Sequence, residues 1–368
     1  MDHRFPPARL KGRGTASRIE GRFETTRRET FDDGWGSLAE AGFAADGAPL
    51  APPRTTVTVE RARRIITRNA SPDVPFEQSV NVYRGCEHGC AYCYARPSHA
   101  YLNLSPGLDF ETRLFAKTNA VERLVEELAR PGYRCSPINL GANTDPYQPI
   151  ERTQRLTRGV LDVFATCRHP CTIVTKNALI ERDLDLLQCL AQERLVYVFV
   201  SVTTLDNRLA SRLEPRASAP HRRLEAVRTL NAAGVPCGVL VAPIIPALTD
   251  ACMETILERA AMAGAPCAGY TLLRLPHELR ELFGEWLEAH VPERAAHVLS
   301  VLRQMRGGRD NDPRFGHRMR GQGEFAALIR QRFALAVRRH DLARVGQLDL
   351  ECSRFVPPSL PSPQGALF

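Results

Sequence analysis

The sequence predicts an α/β fold in which six strand–helix units build a mostly parallel sheet, preceded by an extension and followed by a helical region. Short apolar or β-branched segments alternate with helical periodicity from about residue 78 to residue 275. Residues 195–203 are almost wholly apolar, which is typical of a strand buried on both faces. Six units are fewer than the eight of a complete TIM barrel, so the pattern allows an open or a curled sheet.

The individual elements follow from the same periodicity. Strands are predicted at residues 79–83, 138–141, 171–176, 195–203, 235–245 and 268–273. Helices are predicted at residues 121–129, 155–167, 179–190, 221–233 and 250–263, and beyond the sheet at residues 278–290, 294–305 and 324–340. Gly234 supports the fourth helix, because glycine is the commonest residue just past a helix end.

These elements divide the chain into four regions. Residues 1–70 are basic and weakly periodic, and we expect a largely irregular extension. Residues 71–275 hold the strand–helix units, and residues 276–350 form a basic helical region. The last region, residues 351–368, is rich in Pro and Ser and is expected to be flexible.

Composition narrows the class of protein. Of 368 residues, 43% are hydrophobic and 24% are charged, which excludes a wholly disordered chain and a low-complexity fibre. No apolar run approaches the roughly 18 residues of a membrane span, and the N-terminus lacks the apolar stretch of a signal peptide. The eleven Cys are an odd number scattered over a long chain, unlike a disulfide framework. We therefore expect a cytoplasmic protein without a membrane partner.

Positive charge is concentrated in one segment. The net charge is +8, and residues 294–344 alone hold twelve Arg against four acidic residues. Such a segment favours a phosphate-bearing partner such as nucleic acid. A solvated helical surface explains it equally well, because residues 324–340 combine one apolar face with one cationic face.

A group of three cysteines follows the first predicted strand. The spacing is C-x3-C-x2-C and the residues are Cys86, Cys90 and Cys93. Gly85 and Gly89 allow the backbone to wrap closely around a common centre. A [4Fe–4S] cluster normally takes four Cys, so three ligands leave one iron open. The alternative is a zinc site completed by His88, His99 or a distant Cys, although zinc ribbons usually bring a second C-x2-C pair.

The motif resembles that of the radical S-adenosylmethionine (SAM) superfamily, in which an aromatic residue, here Tyr92, precedes the third Cys. Within that superfamily, Cys93-Tyr94-Ala95, residues 141–151 and Thr175-Lys176-Asn177 are similar to the spore photoproduct lyase-like branch. The resemblance covers about residues 79–275, roughly half of the chain. It implies a partial (βα)6 barrel of the radical SAM type.

The resemblance also implies a reaction. The open iron of the [4Fe–4S] cluster would bind the amino and carboxylate groups of SAM, and the reduced cluster would pass one electron to the sulfonium. The C5′–S bond would break to give methionine and a 5′-deoxyadenosyl radical, which would abstract a hydrogen from the substrate. Further implications are an electron donor such as flavodoxin or ferredoxin and a lyase-like reaction of the DNA-repair type.

Polar residues at the carboxyl ends of the predicted strands are candidate SAM contacts, because ligands of strand–helix arrays bind there. Lys176 and Ser201 suit the carboxylate of SAM, and Thr144 and Asp145 suit its ribose. By resemblance, the matching positions contact SAM and Tyr92 lies against the adenine. The alternative is that these polar segments only end strands, as turn and capping signals.

Three positions bear on the reaction itself. Tyr92 and Tyr94 match tyrosines implicated in radical relay in photoproduct lyases, although a buried Tyr is more often part of the core. Photoproduct lyases carry a hydrogen-donating Cys at the position of Ala142. The resemblance therefore supports the radical machinery more than it supports repair of thymine photoproducts.

Two further segments suggest contacts or partners. Glu214, Arg216, Arg222 and Arg223 either bind a substrate phosphate or pair with each other, and we expect pairing. The chain ends in Gln364-Gly365-Ala366-Leu367-Phe368, which looks like the Q-x-x-L-F peptide by which bacterial repair and replication proteins bind the sliding clamp.

The sequence leaves three functions open. The first is a radical SAM enzyme that acts on nucleic acid or a nucleotide-like substrate. The second is the same chemistry on a small molecule or a protein side chain. The third is a non-catalytic iron–sulfur or zinc protein that binds nucleic acid.

Overall fold

The computed structural model describes residues 10–24, 54–345 and 349–360. Six parallel strands form the centre of its larger sheet and lie side by side in chain order. They are β3 (Gln78–Val80), β6 (Ile138–Leu140), β7 (Cys171–Thr175), β8 (Val196–Ser201), β9 (Cys237–Ile244) and β10 (Cys267–Leu272). The predicted α/β fold with a parallel sheet is confirmed.

Short strands complete both sides of this sheet. β2 (Ile66–Arg68) pairs with β3 in the antiparallel direction, and β11 (Ala343–Arg344) pairs with β10 in the parallel direction. The central strand β8 is buried along almost its whole length, as its apolar sequence predicts.

Helices connect successive parallel strands, as the periodicity predicts. They are α1 (Asp109–Thr112) and α2 (Ala120–Leu128) before β6, α3 (Glu151–Gln154) and α4 (Leu156–Cys167) before β7, α5 (Leu184–Gln192) before β8, α6 (Asn207–Leu213) and α7 (Pro220–Ala232) before β9, and α8 (Met253–Met262) before β10. Short 3-10 turns cover Arg96–Leu102, Ala178–Asp183 and Asp250–Cys252. The second of these turns begins at Asn177, whose side chain caps it by accepting a hydrogen bond from the backbone N–H of Leu179.

The expectation of an irregular extension is wrong for part of its length. β1 (Thr56–Glu60) pairs in parallel with β5 (Arg113–Lys117), and β5 also pairs with β4 (Tyr83–Arg84). These three strands form a second sheet. The sequence of β1 alternates Thr and Val, which is a strand pattern, but the basic composition of the residues around it obscures that pattern. Residues 10–24 contain no helix or strand, yet they pack against the body of the protein.

The C-terminal region is helical, as predicted, with α9 (Leu279–His290), α10 (Pro292–Gln304) and α11 (Gly323–Arg339). None of the helices in the described part of the chain has the length and hydropathy needed to cross a bilayer. The described part of the predicted flexible tail is docked instead. The Val356 N–H donates to the carbonyl of Cys167 at 2.9 Å, and the ring of Phe355 lies 5.2 Å from that of His169. The clamp-like peptide Gln364–Phe368 lies outside the described residues.

Candidate functional site

The loop of residues 85–95, which we name the cysteine loop, follows β4 and carries all three cysteines of the motif. Gly85 has a φ of 75° and Gly89 a φ of 64°, both in the left-handed region. A Cβ on Gly85 would lie 2.6 Å from Leu114 Cδ2 and 2.8 Å from the carbonyl oxygen of Phe110. Glycine is therefore required for the turn that brings Cys86 into place.

The three thiols lie near one another on this loop. Cys86 and Cys90 are buried, Cys93 is half-buried, and none forms a disulfide. Burial raises the pKa of Cys86, and the proximity of Asp145, Cys90 and Cys93 raises it further. Burial also raises the pKa of Cys90, whereas the charge of Lys176 opposes that effect. A bound metal has to displace these thiol protons, because thiolates are the ligands.

The donor set, three unpaired thiols on one glycine-containing loop, suits an iron–sulfur cluster. Within the described residues, no three His, Cys, Asp or Glu side chains are gathered as they are around a single metal ion.

The cysteine loop reaches residues that follow several different strands. Tyr92 Oη lies 3.0 Å from Thr203 Oγ1, after β8, and the ring of Tyr94 lies 4.8 Å from the guanidinium carbon of Arg274, after β10. The phenol of Tyr94 also donates to the carbonyl of Ala142, after β6, although in a flat sheet β6 and β10 would lie four strand spacings, about 19 Å, apart. The carboxyl ends of the strands therefore converge on the loop, as they do in a curled sheet.

Asp145, a predicted SAM contact, ties the cysteine loop to the ends of β6 and β7. Its carboxylate accepts hydrogen bonds from Thr175 Oγ1 at 2.7 Å and from the Lys176 N–H at 2.8 Å, and His88 Nδ1 lies 3.3 Å away. Burial opposes ionisation, but His88, Thr175 and Lys176 together lower the pKa of Asp145. The carboxylate is thus ionised and largely engaged by the protein itself.

The other predicted cofactor contacts differ in how available they are. Thr144 is buried, and its hydroxyl lies 3.4 Å from the carbonyl of Tyr83. Ser201 is buried at the end of β8, where its carbonyl accepts a hydrogen bond from Arg223 at 3.0 Å. Lys176 is half-buried, and its ammonium lies 5.9 Å from the ring centroid of Tyr92 without a hydrogen-bond partner among the described residues. Lys176 is therefore the candidate most available to an anionic ligand.

A buried ion pair holds Tyr92. The phenol of Tyr92 donates to Glu214, which also accepts hydrogen bonds from Arg223 and, at 2.8 Å, from Thr203 Oγ1. Burial would raise the pKa of Glu214, but the charges of Arg223 and Lys176 lower it to about 2. The expected pairing of Glu214 with Arg223 is thus confirmed.

Replacing Glu214 with Gln is expected to lower the free energy of unfolding by about 3 kcal/mol at pH 7, because Arg223 then lacks its buried counter-charge. The folded-state pKa of about 2 lies below the ordinary value of 4.5. The stability that ionised Glu214 adds is therefore complete above about pH 4.5 and is lost as the pH falls towards 2. Urea unfolding at several pH values measures the difference between the two proteins. A difference independent of pH would contradict this assignment, and Glu225→Gln, in a solvent-accessible pair with Arg228, is the control.

A second buried ion pair supports the cysteine loop from beneath. Arg96 and Glu111 are both fully buried, and Arg96 Nη2 lies 2.5 Å from Glu111 Oε1. The same guanidinium donates to the carbonyl oxygens of Cys90 at 2.8 Å and of Gly89 at 3.0 Å. Arginine presents several donors in a fixed planar array, so one side chain fixes the backbone of the loop.

The N-terminal segment of residues 10–24 packs against this ion pair. The N–H groups of Gly14 and Thr15 donate to the two oxygens of Glu111, each at 3.0 Å. A Cβ on Gly14 would lie only 1.6 Å from the carbonyl oxygen of Gly89. The segment therefore contacts the cysteine loop backbone to backbone, and only glycine allows that approach.

The other two arginines of this region, Arg216 and Arg222, pair with acidic residues outside residues 214–223. For these two, the expectation of pairing within the segment is wrong. Arg216 Nη1 lies 2.5 Å from Glu87, in the cysteine loop, and Arg222 Nη2 lies 3.0 Å from Glu181. Four further residues belong to the site although nothing local in the sequence signals them: Gly14, Arg96, Glu111 and Arg274. A buried arginine near a cysteine motif looks the same in sequence as an exposed one.

Comparison with known proteins places these features in a family. The family model of the radical SAM superfamily matches residues 80–260, which include the cysteine loop and strands β6 to β9. An uncharacterized protein of Mycobacterium tuberculosis is 39% identical over 233 residues, which cover 63% of this chain and 68% of that protein. This chain belongs to the radical SAM superfamily. Radical SAM proteins use a [4Fe–4S] cluster and SAM, so the predicted cofactors are confirmed at the level of the family.

Two further proteins are similar to this chain. An uncharacterized protein of Methanocaldococcus jannaschii is 28% identical over 171 residues, covering 46% of this chain and 61% of that protein. Spore photoproduct lyase has a similar structure, with a TM-score of 0.56 and 16% identity over 78% of this chain and 81% of that one. At this identity, the similarity concerns the fold.

Proposed function

We propose that this radical SAM protein is an enzyme in which Cys86, Cys90 and Cys93 hold the [4Fe–4S] cluster, and that its substrate is a nucleic acid. One observation carries the first part of the proposal. Three unpaired thiols stand on one loop, and an ammonium group without a hydrogen-bond partner among the described residues, that of Lys176, lies close enough to Cys90 for its charge to act on that thiol. This is the combination that a cluster with an open iron and an anionic, iron-bound cofactor require.

The residues around the loop have separate roles in this proposal. When bound, the reduced cluster supplies the electron that splits SAM into methionine and a 5′-deoxyadenosyl radical. Lys176 binds the carboxylate of SAM, and Tyr92 offers its ring beside that ammonium. Glu214 fixes the phenol of Tyr92, which leaves the tyrosine rigid. The buried Arg96 fixes the backbone of the loop at Gly89 and at the second cysteine, Cys90.

Positive charge supports a nucleic acid as substrate. Within residues 294–344, some arginines pair with acidic residues, as Arg332 does with Glu254 at 2.7 Å. Arg320, Arg330 and Arg344 are exposed and have no acidic partner among the described residues. Unpaired arginines on one face are typical of contacts with phosphates.

The proposed reaction is abstraction of a hydrogen from the substrate. It does not include a final hydrogen transfer from a thiol at position 142, because that residue is Ala142. Spore photoproduct lyase has been solved with a dinucleoside spore photoproduct, which concerns that protein. Here the carbonyl of Ala142 accepts a hydrogen bond from the phenol of Tyr94, so position 142 lies beside the cysteine loop. It offers a methyl group where photoproduct lyases have a thiol.

Anaerobic reconstitution tests the proposal. The protein loaded with iron and sulfide is expected to hold about four of each per chain and to form 5′-deoxyadenosine from SAM and dithionite. Addition of single-stranded DNA or RNA is expected to change the rate or the products. One zinc per chain, or no 5′-deoxyadenosine from a fully loaded protein, would refute the radical chemistry. If the rate and the products are the same with and without nucleic acid, only the proposal that the substrate is a nucleic acid would be refuted.

Replacing Lys176 with Met is expected to weaken SAM binding by roughly ten- to a hundredfold, because a hydrogen bond to a charged group contributes about 1.5–3 kcal/mol. Equilibrium binding of SAM to the loaded protein measures the effect. Lys11→Met, which removes an exposed lysine of the N-terminal segment, is the matched control. Equal affinities of Lys176→Met and wild type would remove Lys176 from the cofactor site.

A further inference from the structure

Arg274 is a half-buried cation at the edge of the candidate site. It lies two residues after β10, and its guanidinium carbon lies 4.8 Å from the ring centroid of Tyr94, the residue after Cys93. It forms no hydrogen bond or ion pair with any side chain in the part of the chain that the structure describes. Burial lowers the pKa of Arg274, and the nearby charge of Arg318 lowers it further. The protein thus holds a partly desolvated positive charge against two unfavourable effects.

The backbone that carries Arg274 is braced by a second, fully buried arginine. Arg306 donates to the carbonyl oxygens of Leu273 at 2.5 Å and of Leu272 at 3.4 Å. The N–H of Leu272 in turn donates to the carbonyl of Met319 at 3.0 Å. Arg274 therefore projects from a fixed backbone, which lowers the entropy cost of binding a ligand there.

Asp73 is the carboxylate whose charge acts on Arg274, but it already forms an ion pair with Arg318. Asp73 accepts hydrogen bonds from Arg318 and, at 2.7 Å, from the N–H of Gly316. Arg274 contributes to the electrostatic field at Asp73 but forms no ion pair with it. A half-buried cation without a counter-charge of its own costs free energy that an anionic ligand recovers.

Further arginines continue from this point along the surface. Arg318 and Arg320 belong to the loop beside β10. Burial raises the pKa of Tyr270 in β10, and three nearby arginines oppose that rise: Arg320, Arg330 and Arg344. A single carboxylate would use one of these cations. A chain of phosphates at regular intervals would use several, so the arrangement favours a polyanion.

We infer that Arg274 binds a backbone phosphate of a nucleic acid and thereby positions the reacting nucleotide beside the cysteine loop. The inference rests on the proposed function and names a contact for its substrate. Tyr94, which lies between Arg274 and Ala142, marks the place where the nucleotide enters. A guanidinium suits this role because it binds phosphate oxygens in pairs and keeps its charge when partly buried.

The test measures binding of a fluorescent single-stranded DNA oligonucleotide to the cluster-loaded protein over a range of salt concentrations. Arg274→Gln is expected to lower the affinity roughly tenfold or more and to reduce the salt slope by about 0.7, the value for one phosphate contact in a single strand. Arg274→Lys keeps the charge and is expected to keep the slope. Arg130→Gln removes an exposed arginine after α2, in the segment that leads into β6, and serves as the control with the same charge change.

The outcomes separate this inference from the proposed function. An unchanged affinity and slope in Arg274→Gln would overturn the phosphate contact, as would a wild-type protein that cleaves SAM but binds no oligonucleotide. Weaker SAM binding with unchanged oligonucleotide binding would assign Arg274 to the cofactor and also overturn it. Formation of 5′-deoxyadenosine in the same samples tests the radical chemistry independently, and thermal unfolding confirms that each variant is folded.

Discussion

Replacing Cys90 with Ala is expected to remove the iron–sulfur cluster and to reduce 5′-deoxyadenosine formation by more than roughly a hundredfold, since even residues behind metal ligands typically contribute ten- to a hundredfold. Cys90 is buried and its carbonyl is held by Arg96, so the loop cannot shift to bring another thiol into its place. Iron content after anaerobic reconstitution is expected to fall from about four per chain to a small remainder.

The matched control for this variant is Cys189→Ala. Cys189 is exposed on α5, outside the cysteine loop, and its loss is expected to leave iron content and SAM cleavage unchanged. Retention of a full complement of iron by Cys90→Ala would show that the motif does not bind the cluster. The mechanism built on the three cysteines would then fail.

Replacing Glu111 with Ala is expected to destabilise the protein by about 3–5 kcal/mol and to expose the cluster to oxygen. Both partners of the Arg96–Glu111 pair are fully buried, so removal of one leaves the other as an uncompensated charge. The N–H groups of Gly14 and Thr15 lose their acceptors at the same time. Urea unfolding measures the stability, and the bleaching rate of the loaded protein in air measures the protection of the cluster.

A second variant separates the ion pair from the segment that covers it. Gly14→Val keeps the carboxylate of Glu111 but cannot approach Gly89, so it is expected to release residues 10–24 with a smaller loss of stability. Hydrogen exchange reports the release directly. If Gly14→Val leaves both the protection of residues 10–24 and the bleaching rate unchanged, the segment does not shield the cluster.

The sequence predicts the sheet well because the information it needs is local. A run such as residues 195–203 is apolar throughout, and a helix such as residues 221–233 ends at a glycine, so strands and crossovers appear in order. β1 was missed although it alternates Thr and Val, because its surroundings are basic and irregular. Its partner β5 lies more than fifty residues away, and pairing over that distance leaves no local pattern.

The site could be predicted only in part for the same reason. The cysteines stand within eight residues, and their spacing alone is specific. The support beneath them combines Gly14, Arg96 and Glu111, whose contacts span up to 97 positions in the chain. Polar residues at strand ends predict proximity to a ligand but not whether their atoms are already used, which is why Asp145 and Lys176 look alike in sequence and differ in the structure.

The two outermost strands of the larger sheet, β2 and β11, are only three and two residues long. A growing fibril or a swapped domain needs a long row of unpaired backbone groups on which to add its own strand. Because these two edge strands are so short, the larger sheet exposes almost no row of unpaired backbone groups at either edge. Self-association by extension of the larger sheet is thereby discouraged, although its central strands are apolar and buried.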